Sequence, residues 1–167
     1  MEDLENSVGK NFYNGEIFML NIRSAKLSDV NALQELYMKH LTQCPPKEEQ
    51  DTYKWTELLE KLIADSDYHL LVGEIDNTAV SSVTLVIIRN LTHNLRPYSV
   101  IENVVTHTDY RNRGYASDMI EAASIIAKDN DCYKIMLMTG SKKESTLRFY
   151  EKCGFCMNEK TAFLKKL

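Results

Sequence analysis

A short polar turn between an apolar strand and an amphipathic helix holds the residues of this chain best suited to chemistry. The turn carries Arg111, Arg113 and Gly114 within the sequence IENVVTHTDYRNRGYASDMIEAASIIA. The start of a helix leaves backbone N–H groups unpaired and carries about +0.5 of an elementary charge, so it attracts anions. Glycine has no Cβ and lets a phosphate group approach the backbone closely. The turn therefore predicts a phosphate-binding site.

Two common phosphate-binding motifs do not fit this turn. A Walker loop has the pattern GxxxxGK followed by Ser or Thr, and nothing in the chain matches it. A dinucleotide fingerprint has the pattern GxGxxG, whereas Gly114 is the single glycine of the turn. The turn after the strand instead has the pattern Arg111-x-x-Gly114-x-Ala116.

A carboxylate stands inside the strand that precedes the turn. Glu102 lies among apolar residues, where a charged side chain is costly unless it faces a polar cleft. Regular alternation along the strand would place Glu102 and Val104 on the same face, and a bulge between them would change that parity. Two interpretations are open: Glu102 faces a cleft and does chemistry there, or it is a solvated strand residue paired with a cation such as Arg96.

Hydrophobic periodicity predicts the elements that must position these residues. The patterns predict strands at 19–23, 68–75, 78–88, 99–107 and 133–139, helices at 28–41, 52–66, 113–129 and 142–152, and one or two strands in 155–167. Ser28 is the expected cap of the first helix, and Asp76-Asn77 indicates a hairpin turn. The strand-helix-strand unit around Gly114 requires a parallel right-handed crossover. We therefore expect an α/β (α+β) fold with a mixed, mostly antiparallel sheet flanked by about four helices.

Composition bounds the remaining possibilities. A chain of 167 residues with 44% hydrophobic and 26% charged residues fits one globular domain, which we place at 19–167 after an N-terminal extension at 1–18. The net charge of −4 argues against a nucleic-acid partner. No apolar run is long enough to span a membrane and no apolar leader is present, so a cytoplasmic protein without a membrane partner is expected. The motif Cys153-Gly-Phe-Cys156 has no second pair to complete a zinc site, and no metal is expected.

The turn and two other segments together resemble a known superfamily. Arg111-x-x-Gly114-x-Ala116 resembles the acyl-CoA motif Q/R-x-x-G-x-G/A of the GNAT acyltransferases. The strand sequence IENVV and the sequence FYEKCGF at 149–155 resemble the same superfamily in their order and separation. The resemblance implies the GNAT-like acyl-CoA N-acyltransferase fold, with a bulge that separates the strand from its neighbour.

The resemblance also implies acetyl-CoA as the co-substrate. Its pyrophosphate would lie on the backbone N–H groups of Arg111, Asn112, Arg113, Gly114, Tyr115 and Ala116. Its pantetheine arm would run along Val104, Val105 and Thr106. Lys143 stands where many relatives carry Asn, and its side chain could reach a phosphate of the coenzyme.

Direct transfer of an acetyl group to an amine implies an acid and a base. Tyr150 matches the tyrosine that acts as general acid towards the coenzyme sulfur in many GNAT enzymes, and the alternative is an aromatic side chain packed on the sheet. Glu102 is the candidate base or acceptor ligand, acting directly or through water. No covalent enzyme intermediate is needed, so the cysteines need no role.

The expected acceptor is the primary amine of a small molecule, and a homodimer is one of the assemblies that the sequence leaves open. One alternative acceptor is glucosamine 6-phosphate, because IENVV, DCYKI at 131–135 and FYEKCGF resemble segments of its N-acetyltransferases. Against this, Met138 stands where those enzymes carry Asp. Another alternative is a non-catalytic acyl-CoA binding module. Residues that could contact an acceptor are Glu48, Glu49, Asp51, His93 and Arg96.

Overall fold

The computed structural model describes residues 7–13, 16–41 and 50–167, with side chains in those ranges from Met19 onward. Its strands form one six-stranded sheet in the order β1-β2-β3-β4-β5-β6. The strands are β1 Ser7–Tyr13, β2 Glu16–Ser24, β3 Tyr68–Ile75, β4 Thr78–Ile88, β5 Tyr98–Thr106 and β6 Ile135–Leu137. Neighbouring strands are antiparallel except β5 and β6, which are parallel.

Within the described ranges, four α-helices flank this sheet. They are α1 Val30–Glu35, α2 Thr52–Ala64, α3 Tyr115–Asp129 and α4 Glu144–Lys152. A 3₁₀ turn at Leu27–Asp29 precedes α1, and a π-helical segment at Leu36–Leu41 follows it. None of the described helices is long and apolar enough to cross a bilayer. The predicted mixed, mostly antiparallel sheet with about four helices is confirmed.

Each face of the sheet packs against its own helices. On one face, which we call the α3 face, the buried core joins side chains of the strands to those of α3, among them Leu71, Val83, Ile101, Met119 and Ala123. On the other, the α1/α2 face, a second core joins the strands to α1 and α2, among them Leu70, Val72, Val30, Leu33 and Leu59. Any functional side chain on the sheet therefore lies on one of two faces with different neighbours.

The first strands and the first helix differ in detail from the sequence prediction. β1 lies within the predicted N-terminal extension and pairs with β2, whereas residues 1–6 and 14–15 lie outside the described part of the chain. The division into an extension and one domain stays a prediction. Ser28 does not cap α1, because it lies inside the 3₁₀ turn. The carboxylate of Asp29 accepts the Lys26 N–H at 2.7 Å instead.

Two predicted strands are shorter than expected or absent. The strand predicted at 133–139 is reduced to β6, and its residues are half-buried rather than covered on both faces. No residue from 155 to 167 pairs with a described strand, so the predicted C-terminal strands are wrong. Phe163 and Leu164 in that segment are 93% and 88% exposed. A strand needs a partner for its backbone groups, and alternation of apolar residues alone supplies none.

Gly73 on β3 is expected to tolerate no larger residue. A Cβ at this position would lie 2.9 Å from Met119 Sδ and 3.1 Å from Leu20 Cδ1, both of which are fully buried. Overpacking of this kind typically costs about 1–3 kcal/mol. We expect Gly73→Ala to lower the midpoint of thermal unfolding, whereas Gly140→Ala, with no atom within 4 Å of its Cβ, should leave it unchanged or higher. Equal midpoints for the two variants would contradict the prediction.

Candidate active site

A gap opens in the sheet where β5 and β6 separate. β6 pairs only with the first part of β5, as far as Ile101, whereas β5 continues against β4 to Thr106. Over this stretch the register of β5 advances one residue more than that of β4. Asn103 has a φ of 53°. These are the properties of a β-bulge, which bends the strand and increases its twist. The bulge that the resemblance implies is therefore present, and it accounts for the short β6.

The bulge also puts Glu102 and Val104 on different faces of the sheet. Glu102 stands directly opposite Thr84 of β4, and directly opposite residues of an antiparallel pair share a face. Thr84 in turn faces the hydroxyl of Tyr37 in the π-helical segment, so Glu102 lies on the α1/α2 face. Val104 packs with the core of the α3 face. The regular alternation that would put Glu102 and Val104 on one face does not hold, because a bulge with an extra residue at Asn103 reverses it.

Other polar residues considered for the acceptor have structural partners. Arg96 Nε lies 3.0 Å from Asp131 Oδ1, and Arg96 makes no ion pair with Glu102. His93 stacks on Tyr133 with ring centroids 4.0 Å apart. The carboxylate of Asp51 accepts backbone N–H groups at the start of α2. Glu48 and Glu49 lie outside the described residues.

Tyr150 approaches the gap from the other side of the sheet. It lies on α4 and packs, half-buried, against the core of the α3 face, with Phe155 6.3 Å away between ring centroids. Burial raises the pKa of Tyr150, and Cys153 and Glu102 raise it further. Its hydroxyl therefore stays protonated at neutral pH and can donate a proton. The charge of Glu102 reaches Tyr150 across the gap, although the two side chains belong to opposite faces.

The phosphate turn, residues 111–116, ends at an uncapped helix start. Gly114 is the N-cap of α3, has a φ of 85°, and provides no capping side chain. Its carbonyl accepts the N–H groups of Ser117 at 2.8 Å and Asp118 at 3.1 Å. In the part of the chain that the structure describes, the N–H groups of Tyr115 and Ala116 donate to no protein acceptor. They are free to bind an anion at the positive end of the helix.

The two arginines of the turn shape it rather than project from it. Arg111 Nε donates to the Thr106 carbonyl at 3.0 Å, and Arg111 Nη2 donates to the His40 carbonyl at 2.9 Å. Arg113 Nη2 donates to the Asp109 carbonyl at 2.9 Å, and its guanidinium lies 5.1 Å from the Tyr110 ring centroid. Both side chains thus fasten the turn to its surroundings while leaving positive charge near the helix start.

Several predicted coenzyme contacts can involve only the backbone. The side chain of Tyr115 is 1% exposed and lies in the core. The Thr106 hydroxyl lies 3.0 Å from the Ser81 hydroxyl, which also donates to the Val105 carbonyl at 2.7 Å.

Two other residues predicted to contact the coenzyme have exposed side chains. Asn112, with a φ of 62°, is exposed at the turn. The exposed Lys143 is the N-cap of α4, and its contact with a phosphate stays a prediction.

Two concavities of the surface lie away from the gap. One of about 430 Å³ lies on the outer side of α4, beside Arg148 and Lys152. The other, of about 470 Å³, lies between α1 and the β3–β4 hairpin and includes His107 and Tyr110. Neither includes Glu102 or Tyr150.

Sequence reasoning missed three hydroxyl groups on the face of the sheet that holds Glu102. Tyr37, Ser82 and Thr84 lie together on the α1/α2 face, with Tyr37 Oη 3.3 Å from Ser82 Oγ. The signal was available, because Ser82 and Thr84 alternate with Val83 and Leu85 in an otherwise apolar strand. Such alternation places polar side chains on one face of a buried sheet.

Comparison with protein families gives a match over most of the chain. The model of the acetyltransferase (GNAT) family matches residues 31–155. A curated relative named glucosamine 6-phosphate N-acetyltransferase, from Trypanosoma brucei brucei, is 29% identical over 147 residues, or 87% of this chain and 95% of that protein. A second relative, named glucosamine 6-phosphate N-acetyltransferase 1 and from Dictyostelium discoideum, is 24% identical over 139 residues. These residues cover 81% of this chain and 84% of that one.

Solved structures share both the fold and the length. A structure from Agrobacterium tumefaciens str. C58, which carries an acetyltransferase name, superposes with a TM-score of 0.80 at 34% identity, covering 87% of this chain and 99% of that one. The glucosamine-6-phosphate N-acetyltransferase of Arabidopsis thaliana superposes with a TM-score of 0.72 at 20% identity over 89% of this chain and 97% of that one, and this likeness concerns the fold alone. With the split sheet, the uncapped start of α3 and the family match in agreement, the chain belongs to the GNAT family of acetyltransferases.

Proposed function

We propose that this protein moves an acetyl group directly from acetyl-CoA to a primary amine of a small molecule. The observation that carries the proposal is the gap between β5 and β6, with Glu102 on the α1/α2 face and Tyr150 on the α3 face. An acid and a base on opposite faces of one gap suit a transfer in which the acceptor loses a proton and the leaving group gains one.

Two features of the chain fit acetyl-CoA. The unpaired N–H groups of Tyr115 and Ala116, beside a glycine without a Cβ, match the charge and the size of a pyrophosphate. Beyond Ile101, the edge of β5 that faces the gap has no strand partner among the described residues, so its backbone groups can pair with the amide groups of a pantetheine arm. When bound there, the coenzyme supplies an acetyl thioester.

Glu102 would prepare the acceptor for attack. A free alkyl amine has a pKa of about 10.4 and is protonated at neutral pH, so it must lose a proton before it can act as a nucleophile. The Glu102 carboxylate can accept that proton directly or through water. Backbone N–H groups of β5 near Val104 and Val105 are the expected donors to the developing oxyanion, an interaction worth about 10²–10³ in rate.

Tyr150 would complete the transfer on the other face. Its hydroxyl is protonated at neutral pH and makes no hydrogen bond with the described residues, so its proton is available to a departing thiolate. Phe149 beside it carries no titratable group and packs on the α3 face. The cytoplasmic location and the homodimer are proposed with the activity.

A second candidate acceptor is glucosamine 6-phosphate. It is favoured by curated relatives that carry this activity in their names and cover most of the chain. The sequence segments IENVV, DCYKI and FYEKCGF agree with it. Met138, which follows β6 and is 64% exposed, stands against it because a carboxylate is expected at that position. The two candidates share the same donor chemistry and differ in the acceptor.

The proposal is tested by release of coenzyme A thiol with a panel of amines. The panel contains glucosamine 6-phosphate, other amino sugars, polyamines, aminoglycosides and peptides, and mass spectrometry identifies the acetylated product. We expect steady turnover with at least one acceptor class and none with N-acetylated glucosamine 6-phosphate. Tight binding of acetyl-CoA without turnover on any amine would instead identify a non-catalytic acyl-CoA binding module.

A further inference from the structure

A buried hydroxyl group lies beside the candidate base without a hydrogen-bond partner. Thr84 is 1% exposed, and its Oγ1 makes no hydrogen bond with any residue that the structure describes. An unpaired buried polar group costs free energy, because it has lost its hydrogen bonds to water. A hydroxyl at the centre of a core strand therefore needs a reason, since valine would fill the same space without this cost.

Glu102 is a charged acceptor on the strand beside this hydroxyl. Thr84 and Glu102 are directly opposite on adjacent antiparallel strands, which puts their Cβ atoms about 4.5–5.5 Å apart on the same face. A carboxylate offers acceptors only, and a threonine hydroxyl offers one donor. A change of side-chain rotamer brings two such groups to hydrogen-bond distance without any movement of the backbone.

The surroundings of Thr84 strengthen this pairing. Tyr37 covers Thr84 and Ser82 from the π-helical segment, and burial raises the pKa of Tyr37 while the two hydroxyls act against that rise. Tyr37 therefore remains a neutral hydroxyl, and Ser82, which is 0% exposed, lies within 3.3 Å of it. Ser82 is the hydroxyl within hydrogen-bond distance of Tyr37, whereas Thr84 Oγ1 faces Tyr37 without a hydrogen bond to any residue that the structure describes. In a buried environment of this kind a hydrogen bond to a charged group is stronger than in water.

We propose that Thr84 is the positioning residue of Glu102: with a change of side-chain rotamer its hydroxyl donates to the carboxylate and holds it at the gap, both before and after the acceptor amine binds. The proposal rests on the proposed function, in which Glu102 is the base. Thr84 acts through Glu102 and does not touch the acceptor. Its hydroxyl leaves one carboxylate oxygen oriented and the other available to receive the proton of the amine.

A double-mutant cycle between Thr84→Val and Glu102→Gln tests this role. We expect Thr84→Val to lower kcat about tenfold or more, as for loss of a hydrogen bond to a charged group, with the affinity for acetyl-CoA unchanged. In the Glu102→Gln background the same change should cost less than about twofold, because the group through which Thr84 acts is already neutral. Thr84→Ser keeps the hydroxyl and should restore most of kcat.

Thermal unfolding gives a readout that does not depend on activity. A Thr84 hydroxyl bonded to Glu102 makes Thr84→Val destabilising, and the unfolding midpoint falls. An unbonded hydroxyl makes the same variant stabilising, because an unpaired polar group is removed. Ser99→Ala is the matched control, since Ser99 is 0% exposed, lies on β5 and also has an unpartnered Oγ. We expect Ser99→Ala to leave kcat unchanged and the midpoint equal or higher.

The outcomes separate this proposal from the proposed function. If Glu102→Gln turns over as fast as the wild type, the assignment of the base fails. If Glu102→Gln is slow but Thr84→Val is not, the positioning role alone is overturned. A loss of kcat in Thr84→Val that persists in full in the Glu102→Gln background also overturns it. If no amine is acetylated, a rise of the midpoint in Thr84→Val overturns the hydrogen bond on its own.

Discussion

Replacing Gly114 with valine is expected to abolish acetyl-CoA binding. Gly114 has a φ of 85° at the start of α3, and its missing side chain leaves the N–H groups of Tyr115 and Ala116 open. A valine Cβ would block the approach of a pyrophosphate to these groups. Each lost hydrogen bond to a charged group costs about 1.5–3 kcal/mol, so loss of two weakens binding by at least about a hundredfold. Titration calorimetry with acetyl-CoA measures the effect directly.

Backbone strain at Gly114 calls for a matched control. A β-branched residue with a positive φ costs of order 1–3 kcal/mol, so Gly114→Val lowers stability as well as affinity. Gly154 has a φ of 89°, and a Cβ added there would meet no atom within 4 Å, so Gly154→Val carries the same strain away from the phosphate turn. We expect both variants to lose similar thermal stability and only Gly114→Val to lose acetyl-CoA affinity. Unchanged affinity in Gly114→Val would refute the pyrophosphate assignment.

Replacing Tyr150 with phenylalanine is expected to lower kcat about 10²–10⁴-fold, the usual range for removal of a general acid. The ring still packs on the α3 face against Phe155, so the fold and the coenzyme affinity should change little. Pre-steady-state measurement of thiol release with an accepted amine reports the chemical step. Tyr98→Phe is the control, because Tyr98 is also a half-buried tyrosine but lies at the far end of β5. Full activity in Tyr150→Phe would remove this residue as the acid.

The pH dependence provides a second check on Tyr150. Burial, together with the nearby Cys153 and Glu102, holds the pKa of Tyr150 above its ordinary value of about 10. An acid must be protonated to act, so its contribution is complete at neutral pH and is lost only as pH rises through that raised pKa. We therefore expect no fall of kcat due to Tyr150 below about pH 10. A fall near neutral pH that disappears in Tyr150→Phe would contradict this.

Local signals were sufficient for much of the fold. The hairpin of β3 and β4 has the predicted bounds, since Asp76 and Asn77 both adopt the positive φ that a tight hairpin turn requires. The phosphate turn and α3 were predictable because their signals, a glycine N-cap and an amphipathic helix, come from consecutive residues of the sequence. The C-terminal strands were not, because pairing of residues 155–167 would depend on a distant partner that periodicity does not reveal.

The candidate site depended more on tertiary structure. Glu102 and Tyr150 could be named from the sequence, but the face of Glu102 could not. Asn103 can adopt a positive φ more easily than most residues, yet whether it does so in a strand is decided by packing on both sides. That single backbone choice reverses the alternation after Glu102, where β5 leaves β6 and the gap opens. A pattern of alternating residues carries no information on a register shift.

At the gap beside the bulge at Asn103, the two proton transfers of the proposed reaction take place on opposite faces of the sheet. In the proposed reaction the acceptor releases its proton on the side of α1 and α2, and the sulfur takes one on the side of α3 and α4. The proton that Tyr150 donates is then not the one that Glu102 receives. After each turnover Glu102 must release a proton to the solvent and Tyr150 must take one up, and the two exchanges follow separate routes. We therefore expect turnover to slow in heavy water at two independent steps, because Glu102 and Tyr150 each exchange a proton with the solvent on a different face of the sheet.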